Sequence, residues 1–392
     1  MKPAVHVGID GTTWSNDRGF GRFTREFVTA LAQRKGEFRY SLVFDRPPDS
    51  PVPDGVDQVI VGTHSDLNEA SRDDNARSFS YLFEMGRAVR KQNFDLFFYP
   101  AVYSYFPLFS TVPKVVCYHD ATAERLPEFL FPTKRNHLLW QIKTRLAIWQ
   151  TRRAMTVSQS SARDLESILR IPPHKIDVVT EAADPMFRPI RDLAVGQTSR
   201  DTYGIPRNAR LFVYVGGMNA HKNILGLLKA LPDVVAEDSR VHLAIVGSIS
   251  GKGFWDNVPE LKDYIAACPG LEEHVTFTGY ISDENLVELF AGTDALVFPS
   301  LWEGFGLPAV EAMSCGVPVL ASDRGSLPEV IGNAGLFFDP QNQAEIRDTL
   351  LRFLRDEELA ETLRSAAVTQ ASKFTWRLAA ELGEDCFRKA LA

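Results

Sequence analysis

Cysteine is scarce: Cys117, Cys268, Cys315 and Cys386 are the only four, far apart and without a C-x-x-C pair. That excludes a disulfide framework and a clustered thiolate zinc site, and it fits a reducing compartment. Positive charge is not in excess either, since 43 Lys and Arg face 50 Asp and Glu, a net charge of −7. Nucleic acid is therefore not an expected partner, because a phosphate backbone is gripped by a basic face. No apolar run reaches the roughly 20 residues that a membrane-crossing helix needs. The opening MKPAVHVGID lacks the apolar stretch and cleavage site of a secretory leader and reads as a first buried strand. No D-x-D tripeptide occurs, so the usual carboxylate route to a divalent cation is missing and no metal or other cofactor is expected. What remains is a cytoplasmic chain of 392 residues, too long for one ordinary core and expected to form two domains.

What is present alternates regularly. Short apolar runs at 4–9, 40–44, 56–61, 95–99, 115–118, 154–157 and 176–179 read as strands, with helices at 22–33, 75–91, 134–153 and 160–169 between them. A second series has strands at 211–215, 241–246, 275–277, 295–298 and 317–321, and helices at 224–236, 256–267, 285–291 and 309–315. Near-continuous apolar runs of this kind belong to parallel strands covered on both faces. Two closing helices are expected over 343–370 and 376–391. The segment 187–207 has little apolar periodicity and is the expected linker.

The strongest signal lies in VFPSLWEGFGLPAVE, residues 297–311. A buried strand ends at Pro299, a loop with Gly304 and Gly306 follows, and Pro308 opens a helix. Glycines let a backbone approach a ligand closely, and a helix start presents amide groups and a positive dipole end, so this is a cradle for an anion such as a diphosphate. Glu303 sits in the loop and Glu311 about one turn into the helix. Carboxylates only accept hydrogen bonds, which suits them to sugar or ribose hydroxyls beside an anion site. Taken alone, Glu311 also reads as a residue that compensates the helix dipole.

Glu303 and Glu311, with seven residues between them in PSLWEGFGLPAVEAMSCGVPV, resemble the E-x7-E motif of glycosyltransferase family 4. The resemblance extends back through HVTFTGYISDENLVELFAGTDALVFPS and forward through LASDRGSLPEVIGNAGLFFDP, nearly the whole second half. It implies the GT-B fold, in which two Rossmann-like, doubly wound parallel-sheet domains face a central cleft. It further implies a retaining, metal-independent enzyme that moves a hexosyl-type sugar from a nucleotide-diphosphate donor to a hydroxyl acceptor. Glu311 would then bind the donor ribose and Glu303 the donor sugar. The backbone of Phe305, Gly306 and Leu307 would approach sugar and phosphates, and Gly279 and Tyr280 would meet the nucleobase. Domains are expected at 1–190 for the acceptor side and 200–372 for the donor side, with a last helix at about 374–392 crossing back to the first.

A diphosphate leaving group needs positive charge. In YVGGMNAHKNILGLLKAL a strand and a glycine pair precede Lys222, which enters a helix and can reach phosphate oxygens as a compact point charge. By itself it also reads as a solvated first-turn lysine; the family resemblance assigns it to the phosphates. Many members carry an arginine just after the strand glycine, where this chain has Gly217. His221, Asn219 and Arg22 are the candidate replacements.

In the first half, Gly19 and Gly21 precede a helix in a G-x-G-x-x-T pattern that lacks the third glycine of the dinucleotide fingerprint. They are expected to touch the phosphates or the acceptor. His119 and Asp120 follow the strand KVVCY at the carboxyl edge, where ligands sit in parallel sheets. His119 reads either as a structural hydrogen-bonder or, by the resemblance, as a contact of the donor sugar; Asp10 has no role beyond loop geometry. Residues 129–163 contain no acidic side chain, while Lys134, Arg135, Lys143, Arg145, Arg152 and Arg153 are interleaved there with Leu138, Leu139, Trp140, Ile142, Leu146, Ile148 and Trp149. Such a helix either packs its apolar side on the sheet or lies on an anionic membrane surface, here the inner face. A glycan or lipid-linked acceptor, for glycan, cell-surface polysaccharide or glycolipid synthesis, is the expected second substrate. The alternatives are a glycoside phosphorylase or nucleotide-sugar epimerase of the same architecture, a non-catalytic nucleotide-sugar-binding protein and, last, a dehydrogenase.

Overall fold

The computed structural model describes residues 4–16, 19–61, 79–190, 192–249 and 257–392. The chain divides into two compact units. The first comprises Met1–Ala121, Thr133–Glu181 and Trp376–Ala392, and the second Thr122–Pro132 and Ala182–Thr375.

The first unit is a seven-stranded sheet of β1 (Val5–Asp10), β2 (Phe38–Phe44), β3 (Val56–Ile60), β4 (Leu96–Tyr99), β5 (Lys114–Cys117), β6 (Thr151–Thr156) and β7 (Ile176–Val178). Their order is β3-β2-β1-β4-β5-β6-β7 and every pairing is parallel. Parallel neighbours need crossovers, and the helices Gly19–Gln33, Phe79–Arg90, Lys134–Gln150 and Gln159–Ser167 occupy connections between successive strands. The strand LFFY of β4 is buried throughout, as expected for a strand covered on both faces. The last helix, Trp376–Leu391, joins this unit through Lys389 Nζ to Asp177 Oδ1 at 2.6 Å, Arg34 Nε to Glu384 Oε2 at 3.1 Å and Phe387 against Phe98 at 5.3 Å.

The second unit is a six-stranded sheet of β8 (Arg210–Val215), β9 (Val241–Val246), β10 (Val275–Gly279), β11 (Ala295–Phe298), β12 (Val319–Ser322) and β13 (Gly335–Phe338). The order β10-β9-β8-β11-β12-β13 is again wholly parallel. In both sheets the strand order reverses once, between β1 and β4 and between β8 and β11. Ligand crevices form at such reversals, outside the carboxyl ends of the strands.

Several expectations need correction. The segment 187–207 contains the helix Leu193–Thr202, capped by Asp192 and belonging to the second unit. Its periodicity was hidden because it buries Ser199 and Arg200; the Arg200 guanidinium donates to the carbonyls of Gly292, Arg207 and Ala209. The boundary between units accordingly falls at Glu181, and 122–132 belongs to the second unit. The closing stretch 343–370 is two helices, Gln343–Arg355 and Glu357–Ala371, because Asp356 ends one and caps the other by accepting from the Leu359 amide at 2.9 Å. The helix expected over 134–153 stops at Gln150, and Thr151 enters β6. Residues 75–78 and 256, expected in helices, and Asp17 and Arg18 of the glycine loop lie outside the described residues.

Candidate functional site

Two loops at the β8–β11 reversal are tied together by the backbone. After β8 a short turn, Ala220–Lys222, leads to Asn223, which adopts the left-handed conformation (φ 55°) that asparagine tolerates and starts the helix Ile224–Glu237. Its side-chain amide donates to the carbonyls of Pro299, 3.2 Å away, and Pro340, at 2.7 Å. The Leu301 amide donates to the His221 carbonyl at 2.8 Å. With the loops fixed in this way, Lys222 Nζ donates to Glu303 Oε1 at 2.7 Å, the two side chains being 19% and 12% exposed.

The helix Leu307–Ser314 begins beside this pair. Gly306 is its N-cap at φ 95°, Pro308 lies in its first positions, and no side chain caps its amides. A Cβ on Gly306 would stand 2.8 Å from Leu327 Cδ2, so both the conformation and the space favour glycine. Ser326 Oγ donates to the carbonyls of Phe305 at 2.8 Å and Glu303 at 3.1 Å. Gly325 packs so closely that a Cβ there would lie 2.6 Å from the Glu303 carbonyl oxygen. Glu311 is 2% exposed and buried in the first helical turns. Burial and its charge push the Cys315 thiol up to about 12. Burial and the Lys222 charge, opposed by Glu303, hold His221 down at about 4, so this imidazole is neutral near pH 7.

Further along the same sheet edge stand Gly217, Gly279 and Tyr280. Tyr214 donates to the Gly217 carbonyl at 2.6 Å, and a Cβ on Gly217 would meet Asn219 Oδ1 at 2.8 Å. The Gly279 carbonyl accepts from the Gly247 amide at 3.0 Å, and Tyr280 is 76% exposed. Three buried polar atoms here have no hydrogen-bond partner among the described residues: His221 Nδ1, Ser300 Oγ and Trp302 Nε1. Buried polar atoms are almost always paired in a folded interior, so a cluster of exceptions marks a place with binding capacity in reserve. Among the described residues no group of His, Cys, Asp and Glu is arranged to hold a metal ion.

His119, Gly19 and Gly21 belong to the first unit. His119 lies after β5, its Nδ1 3.1 Å from Glu181 Oε1, its Nε2 2.9 Å from the Pro100 carbonyl, with Phe23 edge-on at 4.8 Å. Both partners are acceptors, so both ring nitrogens carry protons. Burial opposes the charge, but Cys117 and Glu181 outweigh it and hold the His119 pKa well above its usual value. A ring bonded this way cannot accept a proton. Gly21 lets its helix pass Asn16, whose carbonyl oxygen a Cβ would approach to 2.0 Å, whereas nothing lies near Gly19. Asp10 accepts from the Thr12 amide at 3.0 Å and hydroxyl at 2.8 Å, a role in loop geometry.

Sequence reasoning missed Asn223, Ser326 and Gly325. The first had a local signal in an asparagine just before a helix; the other two act through the folded proximity of loops after different strands. The basic helix Lys134–Gln150 divides its apolar residues: Trp140, Leu146 and Ile148 pack against the core, while Leu138, Leu139, Ile142 and Trp149 are 54%, 44%, 52% and 73% exposed. No helix among the described residues is long and apolar enough to cross a membrane.

Two family models match the chain, "Glycosyltransferase Family 4" over residues 18–186 and "Glycosyl transferases group 1" over 196–370. The O-antigen chain mannosyltransferase B of Escherichia coli is 37% identical over 164 residues, 42% of this chain and 42% of that protein. The chain thus spans less than half the length of that curated relative. Sucrose-phosphate synthase from Thermosynechococcus elongatus has a similar structure, with TM-score 0.76 and 18% identity over 98% of both chains. HepE of Anabaena, solved in complex with UDP-glucose, gives a TM-score of 0.74 at 18% identity, over 98% of this chain and 99% of the other. At these identities the solved structures establish the shared fold.

Proposed function

The chain belongs to glycosyltransferase family 4 and has the GT-B fold, and from that premise we propose that it moves a hexosyl-type sugar from a nucleotide-diphosphate donor to a hydroxyl acceptor. The transfer retains anomeric configuration, needs no metal ion, and serves O-antigen or related cell-surface polysaccharide or glycolipid synthesis. One observation carries this reading: the Lys222–Glu303 pair stands at the β8–β11 reversal beside a helix start without a side-chain cap. Amides and a lysine held in place before the reaction can stabilise the charge that grows on a departing phosphate without reorganising. In this proposal the donor diphosphate draws Lys222 from Glu303, which turns to the sugar hydroxyls, and Glu311 takes the ribose hydroxyls. The amides of Phe305, Gly306 and Leu307 line the phosphates and sugar, Gly217 leaves room for them, and Gly279 and Tyr280 face the base. His119, both of whose ring nitrogens are bonded within the protein, contributes its charge rather than a base, and Gly19 and Gly21 offer backbone to substrate.

A thermal-shift screen against UDP-, GDP-, ADP- and dTDP-sugars tests the donor. A ligand at a hundred times its dissociation constant adds about 2.7 kcal/mol of stability. Stabilisation by one of the four is expected; none would remove the reading.

We also propose peripheral contact with an anionic membrane at the inner face, through Lys134–Gln150. Exposed Leu138, Leu139, Ile142 and Trp149 accompany exposed Lys134, Arg135 and Arg145, and the helix contains no acidic residue. Apolar side chains with surrounding cations match a bilayer whose headgroups are anionic. Sedimentation with phosphatidylglycerol vesicles but not phosphatidylcholine vesicles is expected; no sedimentation with either would contradict it.

A further inference from the structure

The apolar side chains of the first unit that reach solvent are not confined to the helix Lys134–Gln150. Phe83, on the helix Phe79–Arg90, and Phe109, on the connection between β4 and β5, are 54% and 52% exposed. Their rings stack on each other with centroids 6.1 Å apart and planes 11° from parallel. A folded chain gains little by keeping two large rings together in water, and exposed apolar patches of this kind mark contact with a partner or a membrane.

The stacked pair and the basic helix belong to one side of the first sheet. Met85 and Val89 of the helix Phe79–Arg90, Tyr105 and Leu108 of the connection, and Ala147 of the basic helix are buried in a single core cluster. The Gln150 side chain, at the end of the basic helix, accepts from the Leu108 amide at 3.0 Å and from the Tyr105 hydroxyl at 2.9 Å. Phe109 and Trp149, the latter 73% exposed, are the sequence neighbours of Leu108 and Gln150. Across the connection, the helix Phe79–Arg90 comes so close that a Cβ on Gly86 would stand 2.2 Å from the Pro107 carbonyl oxygen. These contacts fix Phe83 and Phe109 relative to Trp149. Arg87, Arg90 and Lys91, at the end of the same helix as Phe83, are exposed and form no ion pair among the described residues. Of the carboxylates beside them, Glu84 is half-buried, Asp45 accepts from the Tyr81 hydroxyl at 2.6 Å, and Asp95 accepts from the His6 amide at 2.8 Å.

We propose that the Phe83–Phe109 pair, with Arg87, Arg90 and Lys91, is a second point at which the first unit enters an anionic bilayer. The proposal rests on the reading that Lys134–Gln150 lies against such a membrane. It adds what a single helix lacks, a contact on separate elements that fixes which face is turned to the lipid. The rings enter the boundary between headgroups and acyl chains, and the arginine and lysine side chains keep their charges at the phosphates. Charge selects the occupant. Unpaired cations around the rings match anionic headgroups, whereas a second copy of this chain would set the same cations against each other.

Sedimentation of the full chain with phosphatidylglycerol vesicles over a range of lipid concentrations tests it, with phosphatidylcholine vesicles as the uncharged comparison. Phe83→Ser/Phe109→Ser should lower partition by about tenfold or more, because two half-exposed rings no longer leave water. Arg87→Ala/Arg90→Ala should lower it by about tenfold or more at low salt and by less at high salt, where charge is screened. Ile142→Ser/Trp149→Ser, on the basic helix, tests the underlying reading in the same assay. All six side chains are exposed, and thermal unfolding of each variant checks its fold. Partition of Phe83→Ser/Phe109→Ser within about twofold of wild type, while Ile142→Ser/Trp149→Ser loses affinity, would overturn the proposal and leave the helix contact standing. A wild type that sediments with neither vesicle would fell the underlying reading and the proposal with it. A wild type that is dimeric without lipid and becomes monomeric in Phe83→Ser/Phe109→Ser would assign the rings to a second copy and also overturn it.

Discussion

At the edge of the first sheet, His119 has both nitrogens bonded within its own unit and Asp10 holds the loop that follows β1. At the edge of the second, Lys222 and Glu303 bond to each other beside three buried polar atoms that have no partner among the described residues. The two sheets share one construction, parallel strands reversing order once, so the difference lies in how the edges use their polar groups. Both use side chains to fix loops, the first through Asp10 and the second through Asn223 and Ser326, and Trp14 Nε1 and Thr156 Oγ1 of the first unit likewise have no partner among the described residues. The second adds the Lys222–Glu303 pair beside a helix start whose amides have no side-chain cap.

Substitutions that treat the two edges alike should expose the contrast. The largest effect is expected for Lys222→Ala: removing the charge that meets the leaving group should lower kcat by on the order of a hundredfold or more, read in steady-state transfer assays. Near-normal turnover would take the lysine out of the mechanism. Glu311→Ala should act on binding, raising the donor dissociation constant by about tenfold or more with a smaller change in kcat, as loss of hydrogen bonds from a charged group predicts. A fall in kcat at unchanged donor affinity would contradict its place at the ribose. Gly306→Ala forces a residue with Cβ into φ 95°, and should lower stability by about 1–2 kcal/mol in thermal or denaturant unfolding.

The smallest effect concerns pH and falls on the first unit. The His119 pKa is raised in the folded state, so its contribution to stability is complete below the unfolded value of about 6.5 and is lost as pH rises through the folded value. Wild type should therefore exceed His119→Gln in stability by about 1 kcal/mol at pH 6, and the gap should close at alkaline pH. A gap that widens with pH would mean that the ring is neutral in the fold. His221 on the second unit has the opposite sign: its value of about 4 makes the folded state lose stability as pH falls from about 6.5 toward about 4.

Much of this arrangement was legible in the residues, and what was not has a physical reason. Strands such as β4, β9 and β11 announce themselves because parallel strands buried on both faces are apolar almost from end to end. β13 does not: GLFF is only half-buried along most of its length and follows directly on a Gly-Asn-Ala turn. Glu303 and Glu311 stood out by residue type and place in the chain and Lys222 by the family resemblance, and the 2.7 Å bond between Lys222 and Glu303 joins the loops after β8 and β11. The cation–π contact of Arg125 with the Trp302 ring, 3.7 Å from Cζ to the ring centroid, was not readable, because it leaves no local trace. Nor was the helix Leu193–Thr202, whose buried face includes an arginine satisfied by backbone carbonyls far from it in sequence.

The central claim is that a diphosphate binds where Lys222, Glu303 and the helix start at Gly306 converge. A crystal structure of the chain with the nucleotide diphosphate that stabilises it tests this most directly. Phosphate oxygens within hydrogen-bonding distance of Lys222 Nζ and of the amides at Gly306 and Leu307, with Glu303 parted from the lysine, are the expected result. The nucleotide bound elsewhere, with the Lys222–Glu303 bond intact, would contradict it.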